Sequence, residues 1–249
     1  MRTQFLILSI IFLLFIPTKV SPSVVIIYLF NDQIVLTSDS REYITSVGSD
    51  TAWYDKSCKI RIFNRYAVAI TGTHKGNGPI KFNAWTITEN ALNKYTFDTA
   101  ITHLKDEFSK ILPQIGDDLG KTSARFSEAR PDHQPYILQL GIIGLMDGKL
   151  KSYILDFSYY KFNGKSVVVC YERVDIPIKG TVTYRTLGTD LDKENEKYLI
   201  SHFSSDIYGT MDTIISMVAK KNNTVGGPVN ILNVNKLGCQ WKKNPTCSK

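Results

Sequence analysis

The stretch from Ser23 to Arg41, SVVIIYLFNDQIVLTSDSR, constrains the fold more than any other part of the chain. Two apolar runs, VVIIYLF and QIVLT, meet at Asn31-Asp32. Runs rich in Val and Ile, joined at a short polar turn, read as a hairpin of strands. Strands this apolar must be covered, so the rest of the chain has to supply the layers that bury them. At 249 residues and 43% hydrophobic, it can do so within one large domain.

The remaining pattern supplies those layers. KIRIF and YAVAIT read as a second strand pair turning at Asn64-Arg65. A helix is expected over Ile80 to Tyr95. The next is clearer, with Phe97, Ala100, Ile101, Leu104, Phe108, Ile111 and Leu112 at helical spacing, Thr96 as cap and Asp98 in the first turn. Residues 114–134 are polar and read as a loop. YILQLGIIGL, KSYILDF and KSVVVCY are three more strands, the first two joined at Asp147-Gly148. A second helical block runs from about Asp190 to Ala219, carrying Leu191, Tyr198, Leu199 and Phe203, then Ile207, Met211, Ile214, Ile215 and Val218. VNILNV is the last strand, followed by a turn at Leu237-Gly238. Strands, two helices, strands, two helices, strand: this order predicts an α+β fold, a four-layer αββα sandwich with two sheets face to face and helices outside. The domain is expected over 23–238, with 239–249 a short tail.

Residues 1–22 have Arg2, the apolar run LILSIIFLLFI and small residues around Ser21, the layout of a secretory signal peptide. The run is too short for a comfortable membrane span, so no stable membrane insertion is expected. The formal charge of +7 is scattered, and Lys220-Lys221 and Lys242-Lys243 are the only dense pairs. Without a basic stripe interleaved with aromatics, nucleic-acid binding is excluded. Cys58, Cys170, Cys239 and Cys247 suit an oxidising compartment and allow three pairings; the close pair Cys239 and Cys247 is the preferred bridge. No metal-ligand spacing occurs, and no cofactor is implied. Asn222-Asn223-Thr224 is the usable glycosylation sequon, since Pro245 spoils Asn244-Pro245-Thr246.

No GxSxG, HExxH, GxxxxGK[ST] or GxGxxG motif is present, and His74, His103, His133 and His202 are dispersed. One ordered set of segments is more specific: IVLTSDSRE at 34–42, CKIRIFNRYAVAITG at 58–72, PYILQLGIIGLMDGKLKSYILDF at 135–157, LGTD at 187–190 and VGGPVNILNV at 225–234. With these segments the chain resembles a proteasome-type subunit of the N-terminal-nucleophile hydrolase superfamily. The resemblance spans nearly the whole chain after residue 22.

The resemblance implies a chemistry in which a mature N-terminal Thr or Ser attacks an amide carbonyl and its own α-amine takes the proton. Ser23 falls at the nucleophile's position, sixteen residues before Asp39; Asp39 and Lys59 match the buried Asp and the active-site Lys. Gly72 or Thr73 sits where an oxyanion N–H is expected, Arg41 reads as structural support, and Thr189 stands for a supporting Ser. The chain departs from the pattern at Pro22, where Gly usually precedes the nucleophile, at Asn222 in place of a supporting Asp, and at Val225 in place of a Ser. Small residues at Ser21 and Ser23 also suit a cut after Ser23, which would expose Val24 and remove the nucleophile. Two functions therefore stand open. One is a non-catalytic relative acting by binding or assembly, through self-assembly or protein partners. The other is an active amidohydrolase or peptidase acting on a peptide or amide substrate.

Overall fold

The computed structural model describes residues 23–44, 52–54, 56–77, 81–121, 123–202, 206–244 and 246–247. The expected signal peptide and Pro22 lie outside the described residues. Two five-stranded antiparallel sheets dominate. The first has the order β12-β1-β2-β13-β14, with β1 Val24–Phe30, β2 Gln33–Ser38, β12 Val182–Gly188, β13 Asn230–Asn235 and β14 Gly238–Lys243. The second has the order β11-β10-β9-β6-β5, with β5 Ile60–Phe63, β6 Tyr66–Gly72, β9 Tyr136–Met146, β10 Lys149–Phe162 and β11 Lys165–Asp175. Two short hairpins, β3 Glu42–Ile44 with β4 Ala52–Tyr54 and β7 Lys75–Asn77 with β8 Lys81–Asn83, stand apart from them. The fold is thus mixed α+β and mostly sheet.

The inner strands divide their side chains between two cores, as a period of two allows. Val25, Ile27 and Leu29 of β1 join Ile34 and Leu36 of β2, Leu232 and Val234 of β13, and Ala67, Ala69, Ile143 and Ile154 of the second sheet in one cluster. Ala67, Ala69 and Gly141 are small where the sheets meet. The opposite face of β1, Val24, Ile26 and Tyr28, packs with Leu199, Met211, Ile214, Ile215 and Val218. These come from α4 Lys193–His202 and α5 Ile207–Lys221. The outer face of the second sheet, including Val68, Ile70, Leu140, Leu155 and Phe157, packs with Trp85, Leu92, Leu104, Phe108 and Leu112 of α1 Ala84–Lys94 and α2 Phe97–Gly120.

Several expectations are corrected. Helix α2 runs through the segment read as a loop, to Gly120, and α3 Ala124–Ser127 follows it. The apolar stripe continues with buried Ile115, and Gly116 lies so close to Tyr159 that an added Cβ would stand 2.2 Å from its ring. Asp117 then anchors the helix end, accepting from Tyr159 Oη at 3.0 Å and Ser166 Oγ at 2.6 Å. Thr96 does occupy the N-cap of α2, but its hydroxyl donates to Thr99 Oγ1 at 3.0 Å rather than capping a backbone N–H. Strand β12 was unanticipated, and β14 occupies part of the expected tail. The preferred bridge is also wrong: Cys247 is bonded to Cys58, 189 residues away in sequence, and Cys239 is a free thiol. The register of β14 explains this, because Cys239 pairs opposite Val234 and packs toward the core between the sheets.

Candidate active site

The strand ends that follow from this topology bring Ser23, Asp39 and Lys59 together. Ser23 precedes β1, Asp39 follows β2, and Lys59 precedes β5 on the other sheet. Antiparallel pairing of β1 with β2 sets Val25 opposite Ser38, so the two chain ends leave the sheet side by side. The Lys59 ammonium donates to Asp39 Oδ1 at 2.7 Å, with the Lys59 side chain 6% exposed and that of Asp39 fully buried. An ion pair taken out of water survives only where further hydrogen bonds satisfy it. They are present: Asp39 also accepts from the N–H groups of Val24 at 3.0 Å, Arg41 at 3.2 Å and Gly226 at 3.2 Å.

The backbone carbonyl of Arg41 is a second focus. It accepts from Ser23 Oγ at 3.3 Å and, through a short contact, from Lys59 Nζ. Two donors sharing one acceptor lie within two hydrogen-bond lengths of each other, so the Ser23 hydroxyl lies in the field of the Lys59 cation. Arg41 itself donates through Nη1 to Asn223 O at 2.8 Å, tying this turn to the loop after α5.

Gly72 closes β6 with φ +83°, and a Cβ there would stand 2.6 Å from Ile137 O, so only glycine fits. The Thr73 N–H donates to Ile137 O at 2.8 Å and is therefore committed to the sheet. Strand alternation puts the Gly72 N–H on the same edge as that of Ile70, which donates to Lys59 O at 3.1 Å. The Gly72 N–H therefore points away from β9, toward the side of β6 where Lys59 lies. Thr189 touches the site through its backbone, its N–H donating to Ser23 O at 3.1 Å. The side-chain carbonyl of Asn222 accepts from the N–H of Thr224 at 3.0 Å and its hydroxyl at 2.6 Å, so it folds back onto its own sequon. Val225 is fully buried among apolar residues.

Gln139 is a site residue that sequence reasoning missed. Its Oε1 accepts from the Gly188 N–H at 2.6 Å and the Thr71 hydroxyl at 3.4 Å, and its Nε2 donates to Asp156 Oδ1 at 2.8 Å. It thus links the residues next to Thr189 and Gly72 across the two sheets. The signal was a lone amide inside the apolar run YILQLGIIGL. Burial pushes the Asp156 carboxyl above its ordinary pKa, with the Gln139 hydrogen bond and nearby Arg173 acting the other way. No protein-family model matches the chain, and no curated protein matches it in sequence.

Proposed function

We propose that this chain is a secreted protein of the N-terminal-nucleophile hydrolase fold, a four-layer αββα sandwich like a proteasome-type subunit. In this reading Ser23 cleaves peptide or amide bonds once the Pro22–Ser23 bond has been cut. The observation that carries it is the convergence of Ser23 Oγ and Lys59 Nζ on the Arg41 carbonyl, beside a buried Lys59–Asp39 pair. The pairing of apolar helices with the outer faces of two sheets supports the fold. A disulfide fits an oxidising compartment, and no helix among the described residues is long and apolar enough to cross a membrane.

The chemistry follows from the groups in place. A freed Ser23 α-amine, with a pKa of roughly 7.7–8, is partly neutral near physiological pH and accepts the hydroxyl proton as Oγ attacks the acyl carbon. Lys59 stabilises the developing alkoxide, and the Gly72 N–H is directed to receive the oxyanion. Collapse expels the amine, which takes the proton from the α-ammonium and leaves an ester on Oγ. Water, deprotonated by the same α-amine, then releases the acid and restores the hydroxyl.

A second reading, a non-catalytic binding or assembly protein, is favoured by Pro22, by the apolar Val225 and by the inward-turned Asn222. N-terminal sequencing of the secreted protein separates the two. A start at Ser23, with peptide-amide hydrolysis abolished by Ser23→Ala, supports the enzyme; a start at Val24 or an uncut Pro22–Ser23 bond sinks it. Under either reading the secreted chain is expected to lose a glycan with Asn222→Gln, and light scattering is expected to show a monomer or a self-assembly separate from the proteasome particle.

A further inference from the structure

A cleft of about 770 Å³ runs along β5, the outer strand of its sheet. One wall is α1 with Trp85 and Glu89, and the other is the chain end with Trp241 and Thr246. Backbone alternation leaves part of β5 open to this cleft. Ile70 donates to Lys59 O, so Lys59, Arg61 and Phe63 direct their backbone groups at β6, while the N–H groups of Ile60 and Ile62 face the free edge. The cleft is also cationic. Lys56, Arg61 and Lys75 line it against the single carboxylate of Glu89, and none of the three is in an ion pair with a described residue. The Arg61 guanidinium lies 4.5 Å from the Trp85 ring centroid, so its planar fork is oriented; Glu89 is a nearby opposite charge, and no hydrogen-bond acceptor for the fork occurs among the described residues.

We propose that this cleft binds an acidic extended peptide as an added strand on β5, with its carboxylates on Arg61 and Lys75. Strand addition supplies main-chain hydrogen bonds through the N–H groups of Ile60 and Ile62 and the Ile62 carbonyl, the Ile60 carbonyl being covered by Cys58 Sγ at 2.6 Å, and alternate side chains then reach the α1 wall. Because β5 has only four residues, the ladder is short and the charge contacts carry the selectivity. The proposal does not depend on catalysis at Ser23.

The test uses the full secreted protein carrying Ser23→Ala, so that no probe is cleaved and failure of the hydrolase reading leaves the binding result intact. The probe is a fluorescein-labelled nonapeptide alternating Glu and Val, followed by anisotropy and by exchange of the Ile62 amide. Saturable binding, protection of that amide, and at least tenfold weakening by Arg61→Gln or by the exposed Lys75→Gln are expected. A peptide N-methylated at alternate residues should bind at least tenfold more weakly. Equal affinity for the Lys–Val counterpart, insensitivity to both substitutions, or an unprotected Ile62 amide overturns the proposal. Displacement by millimolar inorganic phosphate with no effect of N-methylation would identify a simple anion site and overturn it as well.

Discussion

Asp39 is the residue on which the candidate site turns. Its carboxylate meets one ammonium and three backbone N–H groups, from Val24, Arg41 and Gly226, so every nearby partner is a donor. Asp39→Asn places an amide NH₂ among donors and leaves Lys59 buried without its counter-charge. Breaking a buried pair from one side costs about 3–5 kcal/mol. The expected result is a loss of that size for Asp39→Asn and for Lys59→Met in denaturant titration, with the double variant losing less than the sum of the two. Asp156 titrates with the opposite consequence. Burial raises its pKa above the unfolded value, so between those two values the native state holds more protons, and stability falls as pH rises through the folded pKa. Asp156→Asn, which keeps an acceptor for Gln139, should therefore raise stability at neutral pH. That advantage should fade as the pH drops below the unfolded carboxyl range. An unchanged difference between pH 7 and pH 3 would contradict the assignment.

At the scale of elements, the hairpins were the legible part. Asn31, Asn64 and Asp147 each take positive φ at the turns their sequence announced, because Asn and Asp tolerate that region better than bulkier residues. The strands beside them match because each is rich in apolar and β-branched or aromatic residues, even where Arg61 or Gln139 interrupts the run. Ser23, Asp39 and Lys59 were singled out by the family resemblance, and their places at the ends of those strands are what brings them together. The hydrogen-bonding surroundings were not legible: the Arg41 carbonyl, the Gly226 N–H and the Gln139 amide act through tertiary geometry that no local pattern carries. Helix α2 was expected to end early because residues 114–134 are polar, although its apolar stripe continues with buried Ile115. In place, Gly116 permits contact with the fully buried Tyr159, and Asp117 ties down the end. Gly116→Ala should consequently destabilise by about 1–3 kcal/mol, the usual cost of overpacking, although alanine is the better helix former. A rise in thermal midpoint would show that Tyr159 can yield.

At the scale of the molecule, the chain end binds the two sheets to each other. Cys247 is bonded to Cys58, the neighbour of Lys59 at the start of the second sheet's edge strand. One residue earlier, Thr246 Oγ1 accepts from Asn230 Nδ2 at 2.8 Å, and its N–H donates to Asn230 Oδ1 at 3.3 Å. Asn230 lies opposite Ser38, the neighbour of Asp39, and its carbonyl accepts from Thr37 Oγ1 at 3.1 Å. The terminal residues thus bridge the two segments that carry the buried ion pair, and they wall the cleft along β5. Such a bridge acts on stability chiefly by limiting the unfolded chain, and disulfides typically contribute about 2–4 kcal/mol. Cys58→Ser with Cys247→Ser should lower the unfolding free energy by that amount. It should also loosen the cleft wall locally, raising amide exchange in residues 238–244 and at Arg61 more than in β9. Equal acceleration across all strands would mean that the bond stabilises the whole chain without holding this wall. An unchanged midpoint in the non-reducing transition would mean that Cys58 and Cys247 do not form the bridge in solution.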